Sequence, residues 1–236
     1  MKNLRIVLSI FFCVFVAQML YAQKTVKYDL PAFTEISLKS DAKLILTQDS
    51  VQSVTVKAKE ETLGKLIVEV SNRKLIIRYP GNVWFDSKWA PGEVHVTVSM
   101  PQIDALSQSG SGSIIAEELI TSRILDLYVG GSGSIRLDDL KVEKISSTLS
   151  GSGTLQLAGD GVISEWKMIV SGSGDVKASG LETKKINVVI SGSGSCSVHA
   201  TENLVCKIAG SGGVTYIGNP TIESTIVGSG TVKEAR

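Results

Sequence analysis

Serines flanked by glycine are the residues whose type and spacing first suggest chemistry in this sequence of 236 residues. A Gly-Ser-Gly triplet occurs seven times. A serine in a sharp glycine-flanked turn is typical of hydrolase nucleophiles, and a glycine-rich turn can bind phosphate. However, the hydrolase spacing Gly-x-Ser-x-Gly occurs nowhere, and no triplet precedes Gly-Lys-Ser/Thr or a helical pattern. The triplets therefore predict neither nucleophilic hydrolysis nor phosphate binding.

Acid–base chemistry has few candidates. The two histidines, His95 and His199, lie at outward positions of alternating runs, where exposed side chains are expected. The acidic residues that come nearest to a cluster are Glu117, Glu118, Asp138 and Asp139. They lie in turns between strands, whereas a polysaccharide lyase or glycosidase needs carboxylates grouped on one face. We therefore predict no catalytic residue, no metal site and no cofactor.

Two cysteines remain once an N-terminal leader is set aside, Cys196 and Cys206. Each occupies an inward position that other repeats fill with apolar residues such as Val188 and Val214. Two interpretations stay open: buried free thiols that pack as small hydrophobic groups, or a disulfide, which an exported compartment permits. Two cysteines without an inward histidine do not predict a metal site.

An aromatic loop departs from the pattern of the rest of the chain. Residues 80–92 begin and end with Pro-Gly and contain two of the three tryptophans. The residues of this loop that suit ligand binding are Trp84, Phe85, Asp86, Lys88 and Trp89. Exposed rings on a loop can stack on sugars or contact a protein, with the two charged residues as polar contacts. The alternative is that the rings fold down and cap an end or edge of the fold.

The regular spacing of the triplets determines the predicted fold. Their first glycines are Gly110, Gly131, Gly151, Gly172, Gly192, Gly210 and Gly228, at intervals of 21, 20, 21, 20, 18 and 18 residues. A period near 20 is typical of coils that stack only on their neighbours. Apolar residues alternate around each triplet, as at Trp166, Met168 and Val170, so both glycines are expected inward and the serine outward.

These patterns predict an all-β fold, a parallel β-solenoid (β-helix) with coils of about 20 residues marked by Gly-Ser-Gly. An antiparallel sandwich also contains many short strands. It would not place the same triplet at the same phase of every unit. The sandwich is therefore the weaker interpretation.

Three segments divide the chain. Residues 1–22 combine Lys2 and Arg5 with an apolar run too short to span a bilayer, which predicts a secretory signal peptide. Residues 23–100 are a β region that continues or caps the solenoid, and residues 101–236 carry the repeat. Without the leader, 22 basic residues face 23 acidic ones, so no nucleic-acid partner is expected. No later segment is apolar enough for an integral membrane span.

The start of the β region is similar to a known family. It begins with Phe33-Thr34-Glu35-Ile36-Ser37, followed by Leu44-Ile45-Leu46-Thr47-Gln48 and Val54-Thr55-Val56, and Ser-Gly-Ser-Gly recurs later, as at 171–174. This series resembles the bacterial putative auto-transporter adhesin family with the head GIN domain, over about residues 30–232. The resemblance implies a β-solenoid with an adhesin role, and it brings no catalytic residues with it.

We interpret the chain as an exported, non-enzymatic protein of the cell envelope that binds a glycan or a surface protein. Its location would be the periplasm, the outer surface or the medium. Two alternatives stay open: a structural spacer of the envelope, and a carbohydrate-active enzyme on a β-helix, which the missing carboxylate cluster disfavours. The outward serines and threonines also suit a flat surface that binds a regular lattice, such as a crystalline polysaccharide.

Overall fold

The computed structural model of the chain describes residues 23–81 and 91–235. Strands make up 75% of the chain and helix 3%, and parallel coils of about 20 residues stack into a β-solenoid of about 6 turns. The fold class predicted from the triplet spacing is confirmed. The signal peptide predicted for residues 1–22 lies outside the described residues, and no helix within them is long and apolar enough to cross a membrane.

The described part of the chain contains sixteen strands and one helix. The N-terminal region comprises β1 (Gln23–Tyr28), β2 (Glu35–Lys39), β3 (Lys43–Gln48), β4 (Ser53–Lys59), α1 (Glu60–Lys65), β5 (Ile67–Ser71), β6 (Lys74–Arg78) and β7 (His95–Met100). The repeat comprises β8 (Ala105–Gly110), β9 (Ser113–Gly131), β10 (Ser134–Gly151), β11 (Thr154–Gly172), β12 (Asp175–Gly192), β13 (Ser195–Gly210), β14 (Gly213–Ile217), β15 (Thr221–Gly228) and β16 (Thr231–Glu234).

Each coil contributes two main segments to the stack. The segments before the triplets pair in parallel and form the broad face, which consists of β6, β2, β8, residues 124–131, 144–151, 165–172, 185–192 and 203–210 of β9 to β13, and β15. The segments after the triplets form the narrow face, from β7 and β3 through the starts of β9 to β13 to β14 and β16. Side chains alternate along each strand, so the two faces share one core. Trp166, Met168 and Val170 are all buried in it, as predicted.

The N-terminal strands join this stack out of sequence order. β2 lies between β6 and β8, all three parallel, and β3 lies between β7 and β9. Antiparallel strands complete this end of the stack: β5 pairs with β6 across a turn at Asn72 and Arg73, which both have positive φ, and β4 lies between β7 and β1. The parallel pairing therefore runs from the N-terminal strands into the repeats without interruption.

The first glycine of each triplet lies at the corner between the two faces. All seven have a φ between 83° and 139°, the left-handed region that favours glycine. At Gly172, an added Cβ would lie 2.6 Å from the carbonyl oxygen of Gly151 in the preceding coil, and that oxygen accepts a hydrogen bond of 2.9 Å from the Ser173 amide. Gly172 is exposed and Gly174 is buried. The prediction that both glycines face inward is wrong for the first one, because the chain turns there.

Candidate functional site

The aromatic loop predicted to bind a ligand lies outside the described residues. Its proposed binding residues are Trp84, Phe85, Asp86, Lys88 and Trp89. The flanking strands show where the loop joins the fold, because Arg78 pairs with Lys39 of the next coil and His95 pairs with Lys43. Residues 79–94 therefore replace a corner that the next coil turns with residues 40–42 alone.

Two hydrogen bonds hold the described ends of this loop. The Tyr79 hydroxyl donates to Asp41 Oδ1 at 3.1 Å, and Thr62 Oγ1 of α1 donates to the carbonyl oxygen of Pro91 at 2.6 Å. Burial, together with the Asp41 carboxylate, raises the pKa of Tyr79 far above its ordinary value. The phenol therefore stays protonated and keeps its role as donor. Tyr79 and Pro91, on either side of the binding residues proposed from the sequence, are therefore each tied to the fold by a hydrogen bond.

Cys196 and Cys206 are both buried, and the structure has both as free thiols. Cys196 is in register with Val176 and Val214 of the neighbouring coils, so it packs within a column of small apolar side chains. Burial raises the pKa of Cys196 to about 12 and that of Cys206 to about 11. Because the thiolate is the reactive form of cysteine, neither group is placed to act as a nucleophile.

Two of the four acidic residues considered for catalysis, Glu117 and Asp138, are paired with an arginine on the narrow face. Arg136 Nη2 lies 2.9 Å from Glu117 Oε1 of the preceding coil and 3.1 Å from Asp138 Oδ2 of its own strand. Such largely exposed pairs contribute little to stability. Among residues 23–81 and 91–235, no group of three or more His, Cys, Asp or Glu side chains is arranged to hold a metal ion.

Small side chains cover most of the outer surface of the broad face beside the corner. The row beside the corner carries Ser109, Gly130, Ser150, Ser171, Ser191 and Ala209, in register from coil to coil. The next row along the strands carries Ser107, Tyr128, Thr148, Ile169, Val189 and Lys207. Because neighbouring strands lie about 4.8 Å apart, these rows form a closely spaced surface on which most side chains are short.

Tyr128 provides an aromatic ring on this surface. Its side chain is 39% exposed, and the ring lies against Gly130: a Cβ added to Gly130 would be 2.8 Å from Cε1 and 3.0 Å from the hydroxyl oxygen of Tyr128. The register neighbours of Tyr128 are Ser107 and Thr148, which are both short. The ring therefore covers the backbone at Gly130 and remains accessible from solvent.

A polar groove lies along the same strand. Asp126 and Ile124, two and four residues before Tyr128, line this groove together with Asp104 and Arg123, and the groove encloses about 610 Å³. Side chains two residues apart on a strand point to the same side of the sheet. The groove and the aromatic ring are therefore continuous parts of one surface, which we call the Tyr128 site.

Hydrogen bonds fix the walls of the groove. Gln102 Nε2 donates to both carboxylate oxygens of Asp104, at 2.8 and 3.1 Å. On the other side, Gln48 Nε2 donates to the carbonyl oxygens of Pro101 and Thr121, at 3.1 and 3.0 Å, and Gln48 Oε1 accepts from the Thr121 amide at 2.7 Å. Asp104, Asp126 and Arg123 therefore line a groove whose walls are already hydrogen-bonded.

Sequence reasoning did not identify the Tyr128 site, although two signals were present. Tyr128 is the aromatic residue three positions before a triplet, where the other repeats carry smaller or aliphatic residues or lysine. Gly130 replaces the serine found one position before four of the other triplets. Asp104 gives no such signal, because it comes from the preceding coil and reaches the groove only through the stacking.

The comparisons with known proteins agree on the fold. Residues 32–220 match the family model described as putative auto-transporter adhesin, head GIN domain. No curated protein matches the sequence. A putative adhesin from Bacteroides fragilis NCTC 9343 is similar in structure, with a TM-score of 0.83 and 22% identity over 91% of this chain and 97% of that one.

Two further solved structures are similar. A putative lipid binding protein from Parabacteroides distasonis ATCC 8503 has a TM-score of 0.73 and 24% identity, covering 91% of this chain and 97% of that one. A putative adhesin from Parabacteroides merdae ATCC 43184 has a TM-score of 0.72 and 22% identity, covering 91% and 96%. At these identities the likeness shows the fold alone.

Proposed function

Because the chain belongs to the family described as putative auto-transporter adhesin, head GIN domain, we propose that it is an exported protein that binds a glycan or protein surface at the cell envelope without catalysing a reaction. Export is inferred from the leader pattern of residues 1–22. Binding is inferred from the family and from the shape of the broad face.

The broad face is the observation that supports binding. Its strands stack in register from β6 to β15, and the two outer rows nearest the corner carry mostly serine, threonine and aliphatic side chains. Short side chains at a constant spacing leave a surface on which an extended polymer can lie closely. Tyr128 adds an exposed ring to that surface, and aromatic residues are enriched where proteins bind partners.

The aromatic loop, residues 80–92, is the second binding element that we propose, and the evidence for it comes from the sequence. The strands that flank the loop end at Arg78 and begin at His95, and both residues lie at the same corner of the solenoid as the Gly-Ser-Gly triplets. Three coil spacings of about 4.8 Å, roughly 14 Å in total, separate that corner from the corner of the coil that contains Tyr128. A polymer that lies along the stack can therefore extend from Tyr128 to the corner between Arg78 and His95.

The two alternative functions, a spacer and a carbohydrate-active enzyme, require different structural features. A spacer needs only the stacked coils and no exposed ring. A carbohydrate-active enzyme needs a general acid and a second carboxylate, whereas Glu117 and Asp138 both pair with Arg136. If the protein is an enzyme, it should release sugars from a polysaccharide. If it is a spacer, it should bind no ligand.

A binding assay tests the proposed function. Residues 23–236 are immobilised and exposed to a glycan array, to a panel of purified surface proteins and, because one structural relative is called a lipid binding protein, to phospholipid vesicles. We expect saturable binding to a glycan or a protein without release of sugar products. Heat-unfolded protein serves as the control. No saturable binding by the folded protein to either class would favour the spacer.

Fractionation tests the compartment. The full chain of residues 1–236 is expressed in a bacterial host with a C-terminal epitope tag. We expect a shortened product outside the cytoplasm, because removal of a leader accompanies export. A product of full length that stays in the cytoplasm would contradict export, whatever the binding assay shows.

A further inference from the structure

The Tyr128 site has a feature that ordinary surface packing does not require: two positions of the repeat are changed together. Ser109, Ser150 and Ser171 occupy the row beside the corner in other coils, and Gly130 takes their place in the coil of Tyr128. The space of the missing Cβ is the space that the Tyr128 ring fills, at 2.8 Å from Cε1. The glycine therefore allows the ring to lie down on the strand.

The surroundings keep this ring accessible. On one side the neighbouring strand presents Ala105 and Ser107, and on the other side it presents Ser146 and Thr148. None of these side chains is long enough to cover a phenol ring. The ring is thus larger than the side chains in register beside it, and its Cε1 and hydroxyl oxygen lie next to the backbone of Gly130.

The chemistry beside the ring suits sugar hydroxyl groups. Asp126 lies two residues before Tyr128 on the same outward side, a distance of about 6.7 Å along a strand, and it lines the groove with Asp104 and Arg123. Carboxylates accept hydrogen bonds from hydroxyl groups, and a guanidinium group donates to them. An aromatic face packs against the C–H face of a pyranose ring, and its hydroxyl end tolerates water.

The net charge of the groove favours neutral sugars over anionic ones. Two carboxylates and one guanidinium group leave the described groove with an excess of negative charge, which repels anionic ligands. Sulfated, phosphorylated and uronic-acid polymers are therefore disfavoured. A neutral hexose polymer avoids this repulsion and fits a flat surface whose spacing is regular.

We propose that Tyr128, Asp126 and Asp104 form a subsite for one uncharged pyranose ring of a neutral polysaccharide, with Tyr128 stacked on the sugar and the carboxylates bound to its hydroxyl groups. This proposal rests on the proposed function, since it names the class of glycan and the place where it binds. Gly130 is a positioning residue, because it acts through the ring that it accommodates.

Affinity electrophoresis of residues 23–236 tests the subsite. Native gels contain mannan, xyloglucan or laminarin as neutral polymers, or carboxymethyl cellulose as an anionic one. We expect retardation in at least one neutral gel and none in the anionic gel. Tyr128→Ala should weaken binding about tenfold or more, since aromatic anchors dominate binding surfaces, and Tyr128→Phe should bind nearly as well as the unchanged protein.

Three further variants test which residues contribute to polysaccharide binding. Gly130→Ser keeps the ring but fills the space under it, so binding should fall severalfold with the phenol still present. Asp126→Asn should weaken binding less than Tyr128→Ala. Val162→Ala changes an exposed residue outside the broad face and should leave binding unchanged. Circular dichroism and urea midpoints confirm that each variant is folded.

The outcomes separate the subsite from the proposed function. Unchanged retardation of Tyr128→Ala in a neutral gel overturns the subsite and leaves glycan binding intact. Equal losses in Tyr128→Ala and Val162→Ala also overturn it, because the loss of binding is then not specific to the ring. Retardation in the anionic gel alone contradicts the charge argument. No retardation in any gel overturns the subsite, and the array experiment then decides between a protein partner and a spacer.

Discussion

The phenol ring of Tyr128 lies over Gly130, the residue two positions further along the same strand, at a distance that excludes a Cβ atom on that residue. The two positions are therefore coupled: a larger residue at 130 displaces the ring, and removal of the ring frees space at 130. No other residue of the row beside the corner from Ser109 to Ala209 is a glycine.

The first prediction measures this coupling. Glycine in a strand interior costs roughly 0.5–1 kcal/mol relative to alanine, so Gly130→Ala should stabilise the Tyr128→Ala variant by about that amount. In the unchanged protein the gain should be absent, because the new Cβ meets the ring. Urea unfolding of the four proteins gives the interaction free energy, expected to be at least about 0.5 kcal/mol. The same effect of Gly130→Ala in both backgrounds would show that the ring does not occupy this space.

The second prediction compares neighbouring corner residues. Gly172 has a φ of 110° and no room for a Cβ beside the Gly151 carbonyl oxygen, so Gly172→Val should cost about 1–3 kcal/mol or more. Ser173 is exposed and contributes its amide to the stack, which a valine retains, so Ser173→Val should cost less than about 0.5 kcal/mol. Urea midpoints distinguish the two. Equal costs would mean that close stacking does not require glycine at the corner.

The third prediction concerns pH. The folded state raises the pKa of Cys196 to about 12 and that of Cys206 to about 11, from an ordinary value of 9.0. A raised pKa means that the unfolded chain releases these protons first. The stabilisation is therefore present below about pH 9 and is lost as the pH rises towards 11 and 12. Urea midpoints measured from pH 8 to pH 11 should fall more steeply for the unchanged protein than for Cys196→Val with Cys206→Val.

Valine is the matched replacement because Val176 and Val214 flank Cys196 in its column, and Val188 adjoins Cys206. The difference between the two proteins removes the contribution of all other ionisable groups. Parallel curves for the two proteins would contradict the burial of the thiols as the cause.

The fourth prediction counts thiols. A reagent that labels only free thiols, added without reductant, should label neither cysteine of the native protein at pH 8, because both are buried and protonated. In guanidinium chloride, residues 23–236 should show two reactive thiols. A protein that shows none after unfolding contains the disulfide that the sequence left open as the second interpretation.

The fifth prediction tests a polar contact of the core. Trp166 Nε1 donates to Ser147 Oγ at 2.9 Å, and both side chains are buried. Ser147→Ala removes the acceptor and leaves the indole N–H in the core without it, so the variant should lose about 1–3 kcal/mol of stability. Ser146→Ala, one residue away on the exposed side, should change stability by less than about 0.5 kcal/mol. Indistinguishable urea curves for the two variants would remove this hydrogen bond from the account of the core.

The aromatic loop provides a further test of the proposed function. If Trp84 and Trp89 bind ligand, the double alanine variant keeps its unfolding midpoint and loses binding in the array experiment, which is the result we expect. Rings that cap the fold would instead cost about 3–5 kcal/mol each on removal. A large loss of stability with unchanged binding by the remaining folded protein would end the proposal for the loop.

Several features follow from the sequence alone, because they depend on local periodicity. The interval between triplets predicts the coil length, and the alternation around Trp166, Met168 and Val170 predicts which side chains are buried. In each case the residues that determine the structure lie within a few positions of one another.

Other features depend on which coils become neighbours. The placement of β2 between β6 and β8 joins segments that the sequence separates, and the corner position of Gly172 is set by the carbonyl oxygen of Gly151, a coil away. The Tyr128 site likewise joins Asp126 with Asp104 across the stack. Periodicity describes the side chains of one strand, but only the register between strands decides which side chains meet, so the fold class was predictable and the site was not.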